Sequence, residues 1–309
     1  MNLYVARHSD AAGFLAAAES WLLAREAHNS LILGVALAQR RQAQTRRRRL
    51  PIYLTVSDAT GLLLAAVSTA SIRLLLAGDD TTDDDALDAL VEQLPRSMPE
   101  VFAEQKLARR FAARWSAARW SAARWPATTG PPATIGERQH LLQVTGVTLT
   151  AVTLLPHLPA GRLRPATVRE AELLGDWLFA FQTTITSDDT VDREAASMIV
   201  NGLLARKDIY VWAVGEGAPE RPVSMAIRSR PTANGTAISY VYTPAAERRR
   251  GYATACVVHL SQSLLDDGWQ FCTLFVEDGH TTARNIYHRL GYQPIAEFAG
   301  YRLMPAPAP

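Results

Sequence analysis

The 309-residue chain contains few cysteines, no long apolar run and little net charge. Its two cysteines, Cys256 and Cys272, lie in apolar segments without the spacing of metal ligands, which favours buried free thiols over a disulfide or a zinc site. The N-terminus lacks a basic start followed by a long apolar core, and no apolar stretch reaches membrane-spanning length. We therefore expect a cytoplasmic protein with no membrane partner.

The formal net charge of +2 argues against a protein built mainly to hold nucleic acid. Two features nevertheless keep a nucleic-acid-binding protein open as an alternative: the run Arg46–Arg49, and three copies of Ala-Ala-Arg-Trp between Ala112 and Trp125. Tryptophans beside arginines are able to stack on single strands. A solvated connection and a duplication that lengthens a surface helix are the favoured interpretations, so we expect no specific nucleic-acid partner.

The length is enough for two ordinary domains, and Pro156–Gly161 is the best candidate linker between them. We place the domains at residues 1–156 and 162–305. Hydrophobic periodicity predicts the following elements: helices at 11–27, 30–42 and 82–94, strands at 52–56, 62–69 and 71–76, a strand pair or one bent strand at 140–155, helices at 167–183 and 192–205, and strands at 209–214, 223–228 and 237–243.

A strand, a basic loop and a helix follow one another near the C-terminal end. The strand stops at Pro244, the loop reads Arg248-Arg249-Arg250-Gly251, and the apolar positions after it lie on one helical face. A helix N-terminus offers unpaired N–H groups and a positive dipole end, and glycine lets an anion come close. We interpret the loop as a diphosphate site; a solvated basic loop before an ordinary helix is the alternative. The spacing fits neither a Walker loop nor the three-glycine dinucleotide pattern.

The segments after this helix have a regular pattern as well. Gln270–Val276 is a short apolar run typical of a buried strand, and Thr281–Leu290 predicts a helix that ends before Gly291. A strand-like run from Tyr292 to Leu303 follows.

On these residues the chain resembles the GNAT superfamily of acyl-CoA-dependent N-acyltransferases over residues 163–303. The resemblance rests on Val241-Tyr242-Thr243-Pro244, on Arg248-x-x-Gly251-x-Ala253, and on Ala283 with Tyr287-x-x-x-Gly291-Tyr292. It implies an α+β fold with a mixed, mostly antiparallel sheet flanked by helices. It also implies two GNAT-like domains in tandem, of which the N-terminal one is a degenerate copy without the loop and the tyrosine helix.

The resemblance further implies an acetyltransferase that uses acetyl-CoA as co-substrate and a small-molecule primary amine as acceptor. A protein-lysine acetyltransferase and a non-catalytic acyl-CoA sensor are the alternatives, and a second copy of the chain is a candidate partner. Tyr287 is the expected catalytic donor to the departing sulfur, and Glu277 is a candidate base whose alternative is a solvated turn residue. The expected coenzyme-binding residues are Val241, Tyr242, Thr243, Arg248, Arg249, Arg250, Gly251, Tyr252, Ala253, Thr254, His280 and Ala283.

Two positions depart from the common family pattern. Arg249 stands where similar members often carry glycine, and His280 stands where asparagine is frequent. Both changes leave the backbone contacts to a diphosphate intact, and they affect only the side-chain contacts near the pantetheine arm and the acyl end.

Overall fold

The computed structural model describes residues 2–41, 51–68, 73–79, 81–120, 133–145, 158–185, 192–215 and 220–303. The strands in this part of the chain are β1 Tyr4–Arg7, β2 Tyr53–Asp58, β3 Gly61–Ser68, β4 Arg73–Ala77, β5 Glu100–Glu104, β6 Ala133–Val144, β7 Arg162–Pro165, β8 Ile209–Val214, β9 Arg221–Ser229, β10 Gly235–Tyr242, β11 Phe271–Glu277 and β12 Gln293–Leu303. The helices are α1 Ala11–Leu23, α2 Ser30–Arg41, α3 Asp84–Glu92, α4 Gln105–Trp120, α5 Ala171–Ile185, α6 Arg193–Ala205, α7 Tyr252–Asp266 and α8 Thr281–Arg289.

The chain forms two compact units, and neither is a single continuous stretch. Unit 1 contains residues 1–142, 275–280 and 294–309, and unit 2 contains residues 143–274 and 281–293. The last strand, β12, therefore lies in unit 1, where it pairs antiparallel with β5. The predicted domain limits at residues 156 and 162 stay a prediction, because residues 146–157 lie outside the described part.

Unit 1 is a sheet with the strand order β1-β2-β3-β4-β5-β12-β6. A tight turn joins β2 to β3, and Asp58 Oδ1 closes it by accepting from the N–H of Thr60 at 2.7 Å. The parallel pair is β4 with β5, and the pairs on either side of it are antiparallel. The core contains Phe14, Leu22, Phe111 and Trp115, each with a fully buried side chain.

Unit 2 has the strand order β11-β10-β9-β8-β7. Again one pair is parallel, β10 with β11, whereas β7–β8, β8–β9 and β9–β10 are antiparallel. The predicted fold class is confirmed: the sheet is mixed and mostly antiparallel, and helices accompany it in both units. Helix α6 begins as expected at Asp192, whose carboxylate accepts from the N–H of Glu194 at 3.0 Å.

Each unit contains the same strand–helix–strand arrangement. In unit 1, β4 leads through α3 into β5, and the parallel register runs from Arg73–Glu100 to Leu75–Phe102. In unit 2, β10 leads through α7 into β11, and the register runs from Gly235–Phe271 to Ala237–Thr273. Both registers contain three residue pairs and then end, so the parallel pairing does not continue towards the C-terminal ends of the strands. This arrangement agrees with the expected internal repetition of the fold.

Two helix predictions were wrong in detail. The helix predicted to reach residue 27 ends at Leu23, because Asn29 donates from its side chain to the carbonyl of Leu22 at 2.8 Å. The helix with the first Ala-Ala-Arg-Trp copy is not a surface helix at Trp115, which is fully buried in the core of unit 1. The side chain of Trp120, residues 121–125 and Arg46–Arg49 lie outside the described part. Periodicity also missed the short strands β1, β5 and β7.

Candidate active site

Strand β10 carries a bulge close to its C-terminal end. Ser239 pairs with Ile227 and Tyr242 pairs with Met225, so β10 has one residue more than β9 between these two pairs. Tyr240, inside the bulge, has a left-handed φ of 51°. A bulge interrupts the hydrogen-bond ladder and leaves a residue unpaired. The register with β11 ends at Ala237, so the bulge and Val241 lie beyond the part of β10 that pairs with β11.

Aromatic rings from helix α5 pack on this end of β10. The centroids of Trp177 and Tyr242 are 6.1 Å apart, and Phe181 meets Tyr240 edge-on at 5.3 Å. The rings fix the strand beside the bulge, since paired aromatic rings add to the free energy of burial.

Arg248 folds back onto the end of this strand. Its Nε donates to the carbonyl oxygen of Thr243 at 3.0 Å, and its guanidinium carbon is 6.0 Å from the ring centroid of Tyr242. The contact holds the start of the basic loop against the strand, while Arg248 itself stays exposed. Arg248 therefore connects the predicted thioester-binding strand to the predicted diphosphate loop.

Glu247 gathers two other arginines next to the loop. Its carboxylate lies 2.6 Å from Arg221 and 3.2 Å from Arg250. Arg249 is exposed and makes no ion pair with any residue in the described ranges. Two arginines thus share one carboxylate, and Arg248 and Arg249 add further charge, which leaves the loop with an excess of positive charge that favours an anionic ligand. Sequence reasoning missed Arg221 and Glu247 because Arg221 lies on β9, 26 residues before its partner.

Gly251 begins helix α7 with a conformation that suits glycine. Its φ is 81°, and no side chain caps the helix N-terminus. A Cβ at this position would lie 3.4 Å from Cδ of Pro159. The first N–H groups of a helix have no partner inside the helix, and here they follow directly after the basic loop. The terminus of this 15-residue helix is therefore open to an anion at Tyr252, Ala253 and Thr254.

The corresponding helix of unit 1 is closed to anions. Asp83 caps α3 by accepting from the N–H of Asp85, and Asp84 and Asp85 add two carboxylates to the first turn. Arg110 binds Asp84 at 2.7 Å. Carboxylates thus occupy the N-terminus of α3, whereas no side chain in the described ranges caps the N-terminus of α7. The electrostatics of this terminus repel a diphosphate, in agreement with the expectation that the N-terminal copy is degenerate.

Arg249 adopts the backbone conformation for which glycine is suited. Its φ is 63°, in the left-handed region. That conformation costs a residue with a Cβ roughly 1–2 kcal/mol. The glycine that is frequent here in the family pattern therefore has a conformational reason, and Arg249 retains its charge at the expense of strain.

We expect Arg249→Gly to be more stable to unfolding than Arg249→Ala by about 1 kcal/mol, because both lose the charge and only glycine relieves the strain. Arg250 has no left-handed φ, so the order should reverse there, with Arg250→Gly less stable than Arg250→Ala by about 0.5–1 kcal/mol. Urea denaturation of the four variants measures both differences. The same order at both positions would contradict the strain at Arg249.

Tyr287 and Tyr292 meet at the end of helix α8, and their hydroxyls differ in availability. The rings are 5.8 Å apart with an angle of 63° between their planes. The Tyr292 hydroxyl is buried and lies 2.8 Å from Oγ of Ser261, whereas that of Tyr287 has no hydrogen-bond partner among the described residues. Burial, with a contribution from Cys256, raises the pKa of Tyr287 to about 12, so its phenol is a donor throughout the neutral range.

The direction of the buried hydroxyl contact follows from a second bond. Ser261 donates its single hydroxyl proton to the carbonyl of Val257 at 2.8 Å, so Tyr292 must donate to Ser261. Burial also raises the pKa of Tyr292 well above its ordinary value, which keeps that donor protonated.

Ser261→Ala should destabilise the protein more than Tyr292→Phe. The alanine leaves the Tyr292 hydroxyl buried without an acceptor, at about 1–3 kcal/mol, whereas the phenylalanine removes the donor together with its bond at about 1 kcal/mol. The free energy of unfolding in urea measures both losses. A larger loss for Tyr292→Phe would mean that Ser261 is the donor.

The remaining predicted residues have less defined positions. Ala283 lies in helix α8, but its side chain is outside the described part. His280 and Glu277 belong to the segment of the chain that lies in unit 1, and His280 Nε2 is 3.1 Å from a carboxylate oxygen of Glu277. Each is therefore engaged with the other. No group of three metal-ligating side chains occurs among the described residues, and none of the described helices is long and apolar enough to cross a membrane.

Comparison with known proteins gives one family match and many structural matches. Residues 217–302 match the family described as FR47-like protein. No curated protein sequence matches the chain. The basic loop and Tyr287 both lie inside the matched segment, which is a little over a quarter of the chain.

Several solved structures share the fold over nearly the whole chain at low sequence identity. A GCN5-related N-acetyltransferase from Kribbella flavida is 17% identical with a TM-score of 0.53, and the match covers 89% of this chain and 95% of that one. A GNAT-family acetyltransferase from Colwellia psychrerythraea is 10% identical with a TM-score of 0.54, covering 97% and 99%. A tandem GNAT protein from the clavulanic acid biosynthesis pathway is 10% identical with a TM-score of 0.56, covering 100% of both chains.

These likenesses establish the fold, and the match at residues 217–302 adds a sequence relationship in the part that contains the open helix terminus and Tyr287. The chain thus has the fold of these GNAT acetyltransferases, and its residues 217–302 match the FR47-like family.

Proposed function

We propose that the protein transfers an acetyl group from acetyl-CoA to the primary amine of a small molecule, by direct attack in a ternary complex. The observation that carries the proposal is the uncapped N-terminus of α7 at Gly251, directly after a basic loop and the bulged strand β10. In unit 1 the matching terminus is filled with carboxylates. Of these two termini, unit 2 has the one that suits an anionic coenzyme.

The coenzyme diphosphate binds the first-turn N–H groups from Tyr252 to Thr254, with Gly251 allowing close approach. Arg249 and Arg250 contribute charge and fork-shaped donors to the phosphate oxygens. Arg250 exchanges its bond with Glu247 for a bond to phosphate, while Arg221 retains Glu247 and keeps its carboxylate away from the ligand. The pantetheine arm follows the backbone of Val241–Thr243.

Acetyl-CoA supplies a thioester carbonyl that an uncharged amine attacks. A lysine-type amine has an ordinary pKa of about 10.4, so it must lose a proton before it reacts. The carbonyl oxygen gains negative charge as the tetrahedral intermediate forms, and backbone N–H groups at the bulge near Val241 stabilise it. The C–S bond then breaks, and the proton released from nitrogen ends on sulfur.

Tyr287 stabilises the departing sulfur with its phenolic hydroxyl. A phenol with a pKa of about 12 is a weaker acid than a thiol with an ordinary pKa of about 8.5. Complete proton transfer to the thiolate is therefore uphill, and the hydroxyl acts by donating a hydrogen bond while charge develops on sulfur. Tyr292 does not take this role, because its hydroxyl is bound to Ser261.

The experiment is a thiol-release assay with acetyl-CoA and a panel of acceptors. The panel contains amino acids, polyamines, amino sugars and lysine-containing peptides, and free thiol is read continuously. We expect release above the hydrolytic background with at least one small amine. The control is Gly251→Asp, which places a carboxylate at the diphosphate site and should abolish release.

The alternatives give different results in the same assay. Release with lysine peptides only would replace the small-molecule acceptor by a protein lysine. Coenzyme binding without release for any acceptor would favour a sensor, and absence of both binding and release would overturn the proposal. In a separate binding measurement, a steep loss of affinity for single-stranded nucleic acid with rising salt would support the nucleic-acid alternative.

A further inference from the structure

We propose that Tyr292 is a positioning residue for the transfer reaction. Its buried ring and its hydrogen bond to Ser261 fix Tyr287 relative to helix α7. The N-terminus of this helix holds the diphosphate. The inference rests on the proposed function, because it concerns how the donor to the sulfur is held. It assigns a role to two residues, Tyr292 and Ser261, for which the sequence motif gave none.

The backbone at the end of α8 brings the two tyrosines together. Tyr292 donates its N–H to the carbonyl of Tyr287 at 3.0 Å, and Gly291 between them has a φ of 93°. This left-handed residue reverses the chain, so that the Tyr292 ring meets the Tyr287 ring edge-on. The contact restricts the Tyr287 ring on one side, while its hydroxyl has no hydrogen-bond partner among the described residues.

The hydroxyl bond connects this turn to the coenzyme helix. Ser261 lies on α7, ten residues after Gly251, and its side chain is fully buried. The helix is packed into the core along this length, because Cys256, Val257 and Leu260 are all buried. One end of α7 thus faces the diphosphate, while its middle holds Tyr292. The two anchors set the distance between the coenzyme phosphates and the Tyr287 hydroxyl.

A packing role alone would give a different kinetic result. A residue that only stabilises the core lowers the amount of folded protein without changing turnover per folded molecule. A residue that positions Tyr287 changes turnover, and it does so only while the Tyr287 hydroxyl is present. The two roles are therefore separated by combining each substitution with Tyr287→Phe.

The first experiment is a double-mutant cycle on thiol release by folded protein. Tyr292→Phe should lower kcat about tenfold, with the Kd for acetyl-CoA changed less than about twofold, because misplacing a donor lowers turnover without removing a coenzyme contact. Ser261→Ala should act in the same direction. In the Tyr287→Phe background, Tyr292→Phe should cause no further loss.

Thr236→Val is the matched control for loss of a buried hydroxyl bond. The Thr236 hydroxyl donates to the carbonyl of Ser229 at 3.2 Å in the same unit, so its removal should lower stability but leave kcat unchanged. A loss of kcat in Tyr292→Phe that persists in full in the Tyr287→Phe background would overturn the positioning role. If Tyr287→Phe itself leaves kcat unchanged, the proposed role of Tyr287 fails, and the inference fails with it.

A second measurement needs no turnover. We place 3-fluorotyrosine at position 287 and record its fluorine resonance in the free protein and with CoA. The parent should give one narrow resonance that shifts with CoA, whereas Tyr292→Leu, which removes the facing ring, should give a broad or split resonance. If the parent resonance shifts and Tyr292→Leu leaves its width and shift unchanged, only the positioning role is wrong. If CoA does not shift the parent resonance, the placement of Tyr287 at the sulfur is wrong.

Discussion

Gly251→Asp is expected to raise the Kd for acetyl-CoA about 100-fold, because the new carboxylate repels the diphosphate at the first turn of α7. The same side chain is a favourable helix cap worth about 1 kcal/mol, which offsets part of the strain at a φ of 81°. Aspartate also tolerates the left-handed region better than most residues. The variant should therefore fold normally and still fail to bind coenzyme, as measured by calorimetry.

Gly268→Asp is the matched control for this change. Gly268 follows the other end of the same helix, has a φ of 100°, and has no atoms within 4 Å of an added Cβ. It therefore imposes similar strain and the same change in net charge, away from the diphosphate site. Coenzyme affinity should remain at the parent value. Equal losses of affinity in both variants would show that global charge or folding, and not the N-terminus of α7, determines binding.

Tyr287→Phe is expected to lower kcat about 10- to 100-fold, the range for losing a hydrogen bond to a charged group of about 1.5–3 kcal/mol. Coenzyme affinity should change less than about threefold, since the hydroxyl acts on charge that appears only as the C–S bond breaks. Steady-state kinetics combined with calorimetry measure both quantities. Tyr210→Phe, which alters a tyrosine on β8 in the same unit, should leave both unchanged.

The pH dependence provides a separate check on Tyr287. Its hydroxyl donates only while protonated, and its pKa is raised to about 12, so donation is complete well below that pH and is lost as the pH rises through it. Between pH 7 and about pH 10, turnover of the parent should therefore show no decrease that is due to Tyr287. The pH profiles of the parent and of Tyr287→Phe should have the same shape in this range. Such a decrease in the parent alone would mean that the phenol ionises in this range and is no longer the donor.

The sequence was most informative where the chemistry is local. The helix start at Gly251 and the end of α8 before Gly291 could be predicted because glycine, helical periodicity and short spacings report on neighbouring residues. The bulge at Tyr240 could not be predicted, since it depends on the register with Met225 and Ile227 on β9. The left-handed Arg249 was visible only as a departure from a family pattern, and its physical reason is the φ of 63°.

Contacts between distant residues escaped the sequence for the same reason. Nothing in the sequence pairs Arg221 with Glu247, or Ser261 with Tyr292, which are separated by 26 and 31 residues. The burial of Trp115 could not be predicted either. A five-residue repeat distributes its tryptophans around a helix and so indicates no buried face, whereas α4 buries the Trp115 ring in the core of unit 1.

The central claim is that this chain binds acetyl-CoA at the N-terminus of α7 in unit 2 and nowhere else. Calorimetric titration of the parent protein with acetyl-CoA, repeated with Gly251→Asp, tests it most directly. We predict one site per chain in the parent, because Asp83–Asp85 close the matching terminus of unit 1, and a loss of that site in the variant. Two sites per chain, no binding, or unchanged binding in Gly251→Asp would each contradict the claim.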